Sequence, residues 1–192
     1  EAGDKFCGWF GDDLPAGCSG TGACELTVSQ GHRVEARFVA GQHCDATIVA
    51  TKNGRWENVQ TWSAGRVPNR TDVVEIPTGI TVIAPASGGI RVLKLYQDGL
   101  LRSARNASLG LYAQTLFNTG TIRGNEGVST IGATCGAPGS DVLLGGGVLL
   151  NRGTIQGGDG RGGSCCGGDG GNVSLSFDWV HNAGQVLGGA GG

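Results

Sequence analysis

The chain has 192 residues, of which 39 are glycine and 16% are charged, and its formal net charge is −2. This glycine content excludes long helices, because glycine loses the most backbone entropy in a helix, and the lack of a strict three-residue period excludes collagen. The dispersed basic residues argue against a nucleic-acid partner, and no apolar stretch is long enough to span a bilayer, so we predict a turn-rich, all-β protein.

Residues 1–50 are predicted to form a small cysteine-rich β module. Alternating apolar and polar residues on both sides of Gln30–Gly31 predict a β-hairpin there. The density of cysteines is typical of a small secreted domain that cannot bury a large core, and the short intervening loop favours a bridge between Cys18 and Cys24. The cysteines of this module are Cys7, Cys18, Cys24 and Cys44.

The same module carries a series of short motifs. They are Phe6-x-Gly8-Trp9-x-Gly11, the loop from Cys18 to Cys24, and Val34-x-Ala36-x-Phe38. This series resembles the second half of the divergent internalin-type B-repeat of bacterial cell-surface proteins. The resemblance implies a truncated repeat, because the strand that precedes the aromatic motif in that family is missing from this sequence.

Residues 51–71 form a tryptophan-containing segment that leads into the repeats. Trp56 and Trp62 are followed by Gly65, Pro68 and Asp72, a series that resembles the opening of a secreted β-helix domain named for its eight glycines. We predict that the two tryptophans cover the open end of a solenoid, where apolar side chains and backbone groups would otherwise be exposed. The alternative is that they are core aromatics of a β-sandwich.

Residues 72–192 contain five units in which an apolar run, a glycine and a second apolar run recur. The unit glycines are 20, 21, 33 and 31 residues apart, and a spacing near 20 suits one coil of a β-solenoid. We predict a parallel β-helix of about five coils, with a glycine-rich sandwich as the alternative. The unit glycines are Gly79, Gly99, Gly120, Gly153 and Gly184.

Two glycine-rich tracts, residues 124–139 and 157–171, explain the longer spacings. Repeat proteins accept insertions at one place per coil because the stacked core stays intact, so we predict that both tracts are loops on one side of the solenoid. A recurring Asn-x-Gly motif predicts a ladder of stacked asparagines, with glycine supplying a positive φ at each corner. Its members are Asn118 and Gly120, Asn151 and Gly153, and Asn182 and Gly184.

Metal and thiol chemistry have few candidates in this sequence. Asp159 and Asp169 both lie in Gly-Gly-Asp-Gly, where carboxylate and backbone oxygens can bind calcium, but solvated turn aspartates are the simpler interpretation. We predict no other cofactor. Adjacent Cys165 and Cys166 would strain the backbone if they bonded to each other, so we expect one of them to pair with Cys135 and the leftover thiol to be available for joining subunits.

The distribution of carboxylates argues against an enzyme. A polysaccharide-active β-helix needs paired carboxylates on neighbouring coils, and aligning the units by their glycines produces no such stack. No nucleophile motif such as Gly-x-Ser-x-Gly occurs. Tyr96, Tyr112 and Trp179 could stack on sugars, although aromatic residues on strands more often pack against their neighbours.

We therefore interpret the chain as a secreted, non-enzymatic structural protein. It ends in residues 188–192 directly after a unit and without a polar capping sequence, and it begins inside a repeat-like module. We expect its strand edges to pair head-to-tail with other copies, a contact that propagates into a filament or surface fibre. The alternative is an adhesin segment that holds surface glycans on its glycine-rich face, and a polysaccharide-active enzyme is the third alternative.

Overall fold

The structure is a computed structural model that describes residues 5–10, 14, 18, 21–25, 33–39, 43–128, 135–163 and 166–192. Its contacts divide the chain into two compact units, Glu1–Ala46 and Thr47–Gly192. The tryptophan segment 51–71 therefore belongs to the same unit as the repeats. The predicted turn at Gln30–Gly31 and the thiol of Cys165 lie outside the described residues.

The first unit contains a two-stranded antiparallel sheet. Strand β1 (Lys5–Phe10) pairs with β2 (Glu35–Val39). The ring of Phe6 packs against the rings of Trp9 and Phe38, with centroid separations of 5.2 and 5.3 Å. A two-stranded sheet alone is marginally stable in water, so this aromatic cluster and two disulfides stabilise the unit. The disulfides are Cys7–Cys44 and Cys18–Cys24.

The described part of the second unit contains two six-stranded sheets, between which successive strands alternate. One sheet holds the odd-numbered strands from β3 onward and the other the even-numbered strands from β4 onward, and neighbouring strands in both are parallel. The prediction of an all-β protein is therefore confirmed. The strands are β3 (Ile48–Val49), β4 (Gly54–Arg55), β5 (Val73–Ile76), β6 (Thr81–Ile83), β7 (Ile90–Gln97), β8 (Leu100–Arg102), β9 (Leu109–Asn118), β10 (Thr121–Arg123), β11 (Val142–Asn151), β12 (Thr154–Gln156), β13 (Val173–Asn182) and β14 (Gln185–Leu187).

Register in the second unit stacks apolar side chains directly on one another. In the sheet of longer strands, Leu95, Leu116 and Leu149 are register partners on β7, β9 and β11, and all three are fully buried. In the sheet of shorter strands, Leu101 on β8 and Ile122 on β10 are likewise register partners, and both are fully buried. Burying one such side chain contributes roughly 1.5–3 kcal/mol. These apolar rows are consequently the main stabilising feature of the unit.

The glycine-rich tracts, predicted as loops, are extended segments that hydrogen-bond to one another. Gly124 N–H donates to Gln156 O at 2.8 Å. Three residues later, Gly127 N–H donates to Asp159 O, also at 2.8 Å. This interval matches the three residues per turn of a polyproline II helix, which has no internal hydrogen bonds. The segments thus form a third hydrogen-bonded array, and their described residues are 124–128, 135–140, 157–163, 166–171 and 188–192.

The predicted positive φ is wrong for three of the corner glycines. Glycine is required at these positions for a different reason, which is close backbone packing. Gly120, Gly153 and Gly184 have no positive φ, whereas Gly79 has a φ of 84°. A Cβ atom at Gly120 would lie closer than 3.0 Å to Gly99 O, and one at Gly153 would meet Gly120 O in the same way. The carbonyl of one corner therefore occupies the space that a side chain at the next corner would need.

Candidate assembly surface

Asparagine side chains at successive unit corners hydrogen-bond to one another. Asn118 Nδ2 donates to Asn151 Oδ1 at 2.7 Å, and Asn151 Nδ2 donates to Asn182 Oδ1 at 2.7 Å. The same two amides also donate to the backbone carbonyls of Thr154 and Gln185, at 3.3 and 3.2 Å. Asn118 and Asn151 are buried, but Asn182 is exposed. The ladder therefore runs in one direction and stops at an accessible asparagine.

Gln97 begins this row, although it was not among the predicted ladder residues. It is the register partner of Asn118, its side chain is fully buried, and its Nε2 donates to Thr121 O at 3.2 Å. The signal was present as Gln97-Asp98-Gly99, which has the spacing of the Asn-x-Gly motif. Because glutamine and asparagine end in the same amide, a search for either residue two positions before the unit glycine would have found it.

Backbone hydrogen bonds along the corners stop at the same place as the ladder. The carbonyls of Gly99, Gly120 and Gly153 each accept an N–H of the following unit at 2.9 Å. Gly184 holds the next position of this series, and no donor within the described residues reaches its carbonyl. Strands β13 and β14 are correspondingly the edge strands of their sheets.

An apolar side chain on each of β13 and β14 is partly exposed, whereas its register partner on β11 or β12 is buried. Val180 on β13 is 45% exposed, whereas its register partner Leu149 is 0% exposed. Val186 on β14 is 36% exposed, whereas its partner Ile155 is 0% exposed. We call β13, β14 and residues 188–192 the open edge. A strand edge that combines available backbone groups with apolar side chains is typical of a surface that pairs with another strand.

The tryptophan segment lies beside the strands at the other end of both sheets. Trp56 and Trp62 belong to the buried apolar cluster, with their rings edge to face at 4.7 Å between centroids. Trp62 Nε1–H donates to Trp56 O at 2.8 Å, and Trp62 forms an antiparallel bridge with Ala50, directly after β3. The two ends of the sheets therefore differ, because this one is flanked by buried aromatics and the open edge is not.

An ion pair holds the tryptophan segment to the first repeat. Arg66 donates from both Nη atoms to the two carboxylate oxygens of Asp72 at 2.7 Å, and Asn69 N–H donates to Asp72 Oδ2 at 2.8 Å. The Arg66 guanidinium lowers the pKa of the Asp72 carboxyl below its ordinary value, against the opposing effect of burial. A bidentate pair of this kind fixes geometry as well as charge.

The two calcium candidates occupy different environments. Asp159 Oδ1 accepts a hydrogen bond from Ala190 N–H at 2.9 Å, so this carboxylate positions the last glycine-rich segment. Asp169 is exposed, and among the described residues neither aspartate belongs to a cluster of three or more metal-ligating side chains. A disulfide joins Cys135 to Cys166, which links two glycine-rich segments.

No protein-family model, curated protein or solved structure matches this chain. Among the described residues, the helical content is a single 3₁₀ turn at Val59–Thr61, so no helix there has the length and apolarity that crossing a membrane requires. The three disulfides are consistent with a compartment outside the cytoplasm, where such bonds persist.

Proposed function

We propose that this protein is a non-enzymatic, extracellular structural subunit that assembles head-to-tail into a filament through its open edge. The observation that carries the proposal is that four series of contacts repeat from unit to unit and all stop at β13 and β14. They are the asparagine ladder, the corner hydrogen bonds and the two apolar rows. A further strand layer stacked on this edge would continue all of them.

The proposal includes a β-solenoid as the architecture of the second unit. Its support is the strict alternation of parallel strands between two sheets, with consecutive strands such as β7 and β8 separated by only two residues. Six strand pairs would then be six coils, against the five predicted units. Such stacking is quasi-one-dimensional, so each coil is covered by its neighbours, and among the described residues β13 and β14 are covered on one side only.

The open edge provides enough apolar surface to favour association. Trp179, Val180, Val186 and Leu187 are each between 36% and 52% exposed. Since complete burial of such a side chain contributes roughly 1.5–3 kcal/mol, covering the exposed half of each contributes about 1 kcal/mol. Strand pairing adds backbone hydrogen bonds to this, as in other cases of β-augmentation.

We propose that a second copy of this chain covers the edge, with its β1–β2 sheet as the pairing partner. Among the described residues that sheet has two strands, and no other described strand pairs with the outer edge of either. Its aromatic residues Phe10 and Phe38 are 46% and 57% exposed. Pairing β13 of one copy with an edge of this sheet in the next is a heterologous contact. Heterologous contacts propagate into open assemblies unless they close into a ring.

The experiment compares substitutions on and off the open edge. Val180→Lys combined with Val186→Lys places two charges at the edge, whereas Leu143→Lys places one on β11, which is paired on both sides, at a residue 47% exposed. We expect the edge variant to sediment as a monomer and the Leu143 variant to form filaments like the natural protein. Circular dichroism establishes that each variant is folded. Filaments formed equally by all three proteins would refute the edge assignment.

A glycan-binding adhesin segment is the second candidate, because exposed aromatics lie on the outer face of the longer-stranded sheet. Tyr112 and Trp179 are each 52% exposed, and Arg91 lies over the Tyr112 ring at 5.9 Å from its centroid. Exposed aromatic faces of this kind stack on apolar faces of other molecules. Binding of the natural protein to a glycan array that is lost on Tyr112→Ala would favour this candidate, and unchanged binding by that variant would count against it.

A further inference from the structure

Three arginines line one cavity of the second unit, on the side of the shorter-stranded sheet. The cavity has a volume of about 520 Å³, which falls in the range of small-molecule sites. Arg102 ends β8, Arg123 ends β10 and Arg161 lies in the glycine-rich segment 157–163. We call this site the arginine cavity.

Two of these arginines are stacked directly on each other. Arg102 and Arg123 are register partners on neighbouring parallel strands, which lie about 4.8 Å apart. Like charges at directly opposed positions in a sheet are destabilising. Arg102 Nη1 donates to Asn125 Oδ1 at 3.1 Å, an acceptor that carries no charge, so this contact does not offset the repulsion.

A single carboxylate, that of Glu126, pairs with both Arg123 and Arg161. Glu126 forms an ion pair with Arg123 at 3.3 Å and a second, shorter one with Arg161. It is the one acidic residue among the described residues that line the cavity. Three guanidinium groups and one carboxylate leave a formal local charge of +2, in a chain whose overall charge is −2. Each guanidinium has five N–H donors, so donors remain for a ligand.

The residues that orient these side chains are themselves held by hydrogen bonds. Asn125 N–H donates to the hydroxyl of Ser103 at 2.7 Å, and Ser103 is fully buried. Asn125 O accepts Ser140 N–H from the neighbouring glycine-rich segment at 2.9 Å. The segment that presents Asn125 and Glu126 is therefore fixed before any ligand arrives, which lowers the entropic cost of binding.

We propose that the arginine cavity binds a tetrahedral oxyanion, the sulfate or phosphate group of a small ligand. The negative charge of such a group, up to −2, complements the local charge of +2, and guanidinium groups bind such oxygens with paired, charge-assisted hydrogen bonds. A nucleic acid is not the expected carrier, because no aromatic residue lines the described cavity to stack on a base. None of the residues that line the cavity belongs to the open edge. The outcome for this site is therefore independent of the outcome for filament assembly.

The test is isothermal titration calorimetry of the full chain with five probes. These are inorganic sulfate, inorganic phosphate, glucose 6-sulfate, glucose 6-phosphate and, as the neutral control, glucose. We expect the four anionic probes to bind and glucose not to bind. Tighter binding of the esters than of the inorganic ions would identify a sugar ester as the carrier, and equal binding would identify the free ion. Both results support the site.

Substitutions locate the binding within the molecule. Arg102→Gln and Arg123→Gln each remove one guanidinium from the cavity, and Arg105→Gln removes an exposed arginine that does not line it. We expect either cavity variant to bind sulfate about tenfold more weakly, equivalent to about 1.4 kcal/mol, and Arg105→Gln to bind like the natural protein. Undetectable sulfate and phosphate binding, or an equal loss in the Arg105 variant, would overturn the proposal. Unchanged circular dichroism establishes that the variants are folded.

Discussion

Replacing Asn151 by alanine removes the central member of the asparagine ladder. Its side chain is fully buried, accepts one hydrogen bond from Asn118 and donates two, to Asn182 and to Gln185 O. One hydrogen bond contributes about 0.5–1.5 kcal/mol net, so the loss of three predicts a decrease of about 3 kcal/mol in the free energy of unfolding. With that bond to Asn151 gone, the buried Asn118 amide would keep only its longer bond, to Thr154 O at 3.3 Å.

The matched control is Asn182→Ala at the exposed end of the same ladder. It removes a single acceptor, and Asn151 Nδ2 keeps its bond to Gln185 O, so we expect a decrease of at most about 1 kcal/mol. Urea unfolding of monomeric protein with its disulfides intact, followed by circular dichroism, measures both values. Equal destabilisation by the two substitutions would refute the reasoning, because it would mean that burial within the ladder contributes nothing.

Two further substitutions test corner packing and the tryptophan segment. Gly120→Ala should lower the free energy of unfolding by about 2–3 kcal/mol, since its Cβ atom would overlap Gly99 O. The control, Gly162→Ala, adds an atom that has nothing within 4 Å and should change the free energy of unfolding by less than about 0.5 kcal/mol. Similar unfolding midpoints for the two variants would contradict this. Because the pKa of Asp72 is lowered in the folded state, its contribution is present above about pH 4 and is lost as the pH falls through the folded pKa. Asp72→Asn should therefore destabilise the protein at neutral pH and weaken the acid dependence of thermal unfolding, and an unchanged pH profile would contradict this.

The sequence predicted what depends on local pattern. Short apolar runs broken by glycine predicted an all-β chain, and the recurring Asn-x-Gly motif identified residues that prove to be register partners, Asn118, Asn151 and Asn182. Both inferences rest on features that repeat within the sequence itself. They needed no knowledge of which strands are neighbours.

What the sequence did not reveal depends on contacts between distant segments. The glycine-rich tracts carry no apolar periodicity, so nothing in residues 124–128 indicated that Gly124 and Gly127 would donate to a segment some thirty residues away. The reason for glycine at Gly120 was also hidden, because the clash with Gly99 O arises only once the units are stacked. The pairing of Arg102 with Arg123 depends on register in the same way.

The most direct test of the assembly proposal is a cryo-electron microscopy reconstruction of the native material. We predict filaments in which a strand of the next copy lies against β13 at the ordinary spacing of about 4.8 Å, with Val180 and Asn182 covered. Dispersed monomers, or filaments in which the open edge faces solvent, would contradict the account.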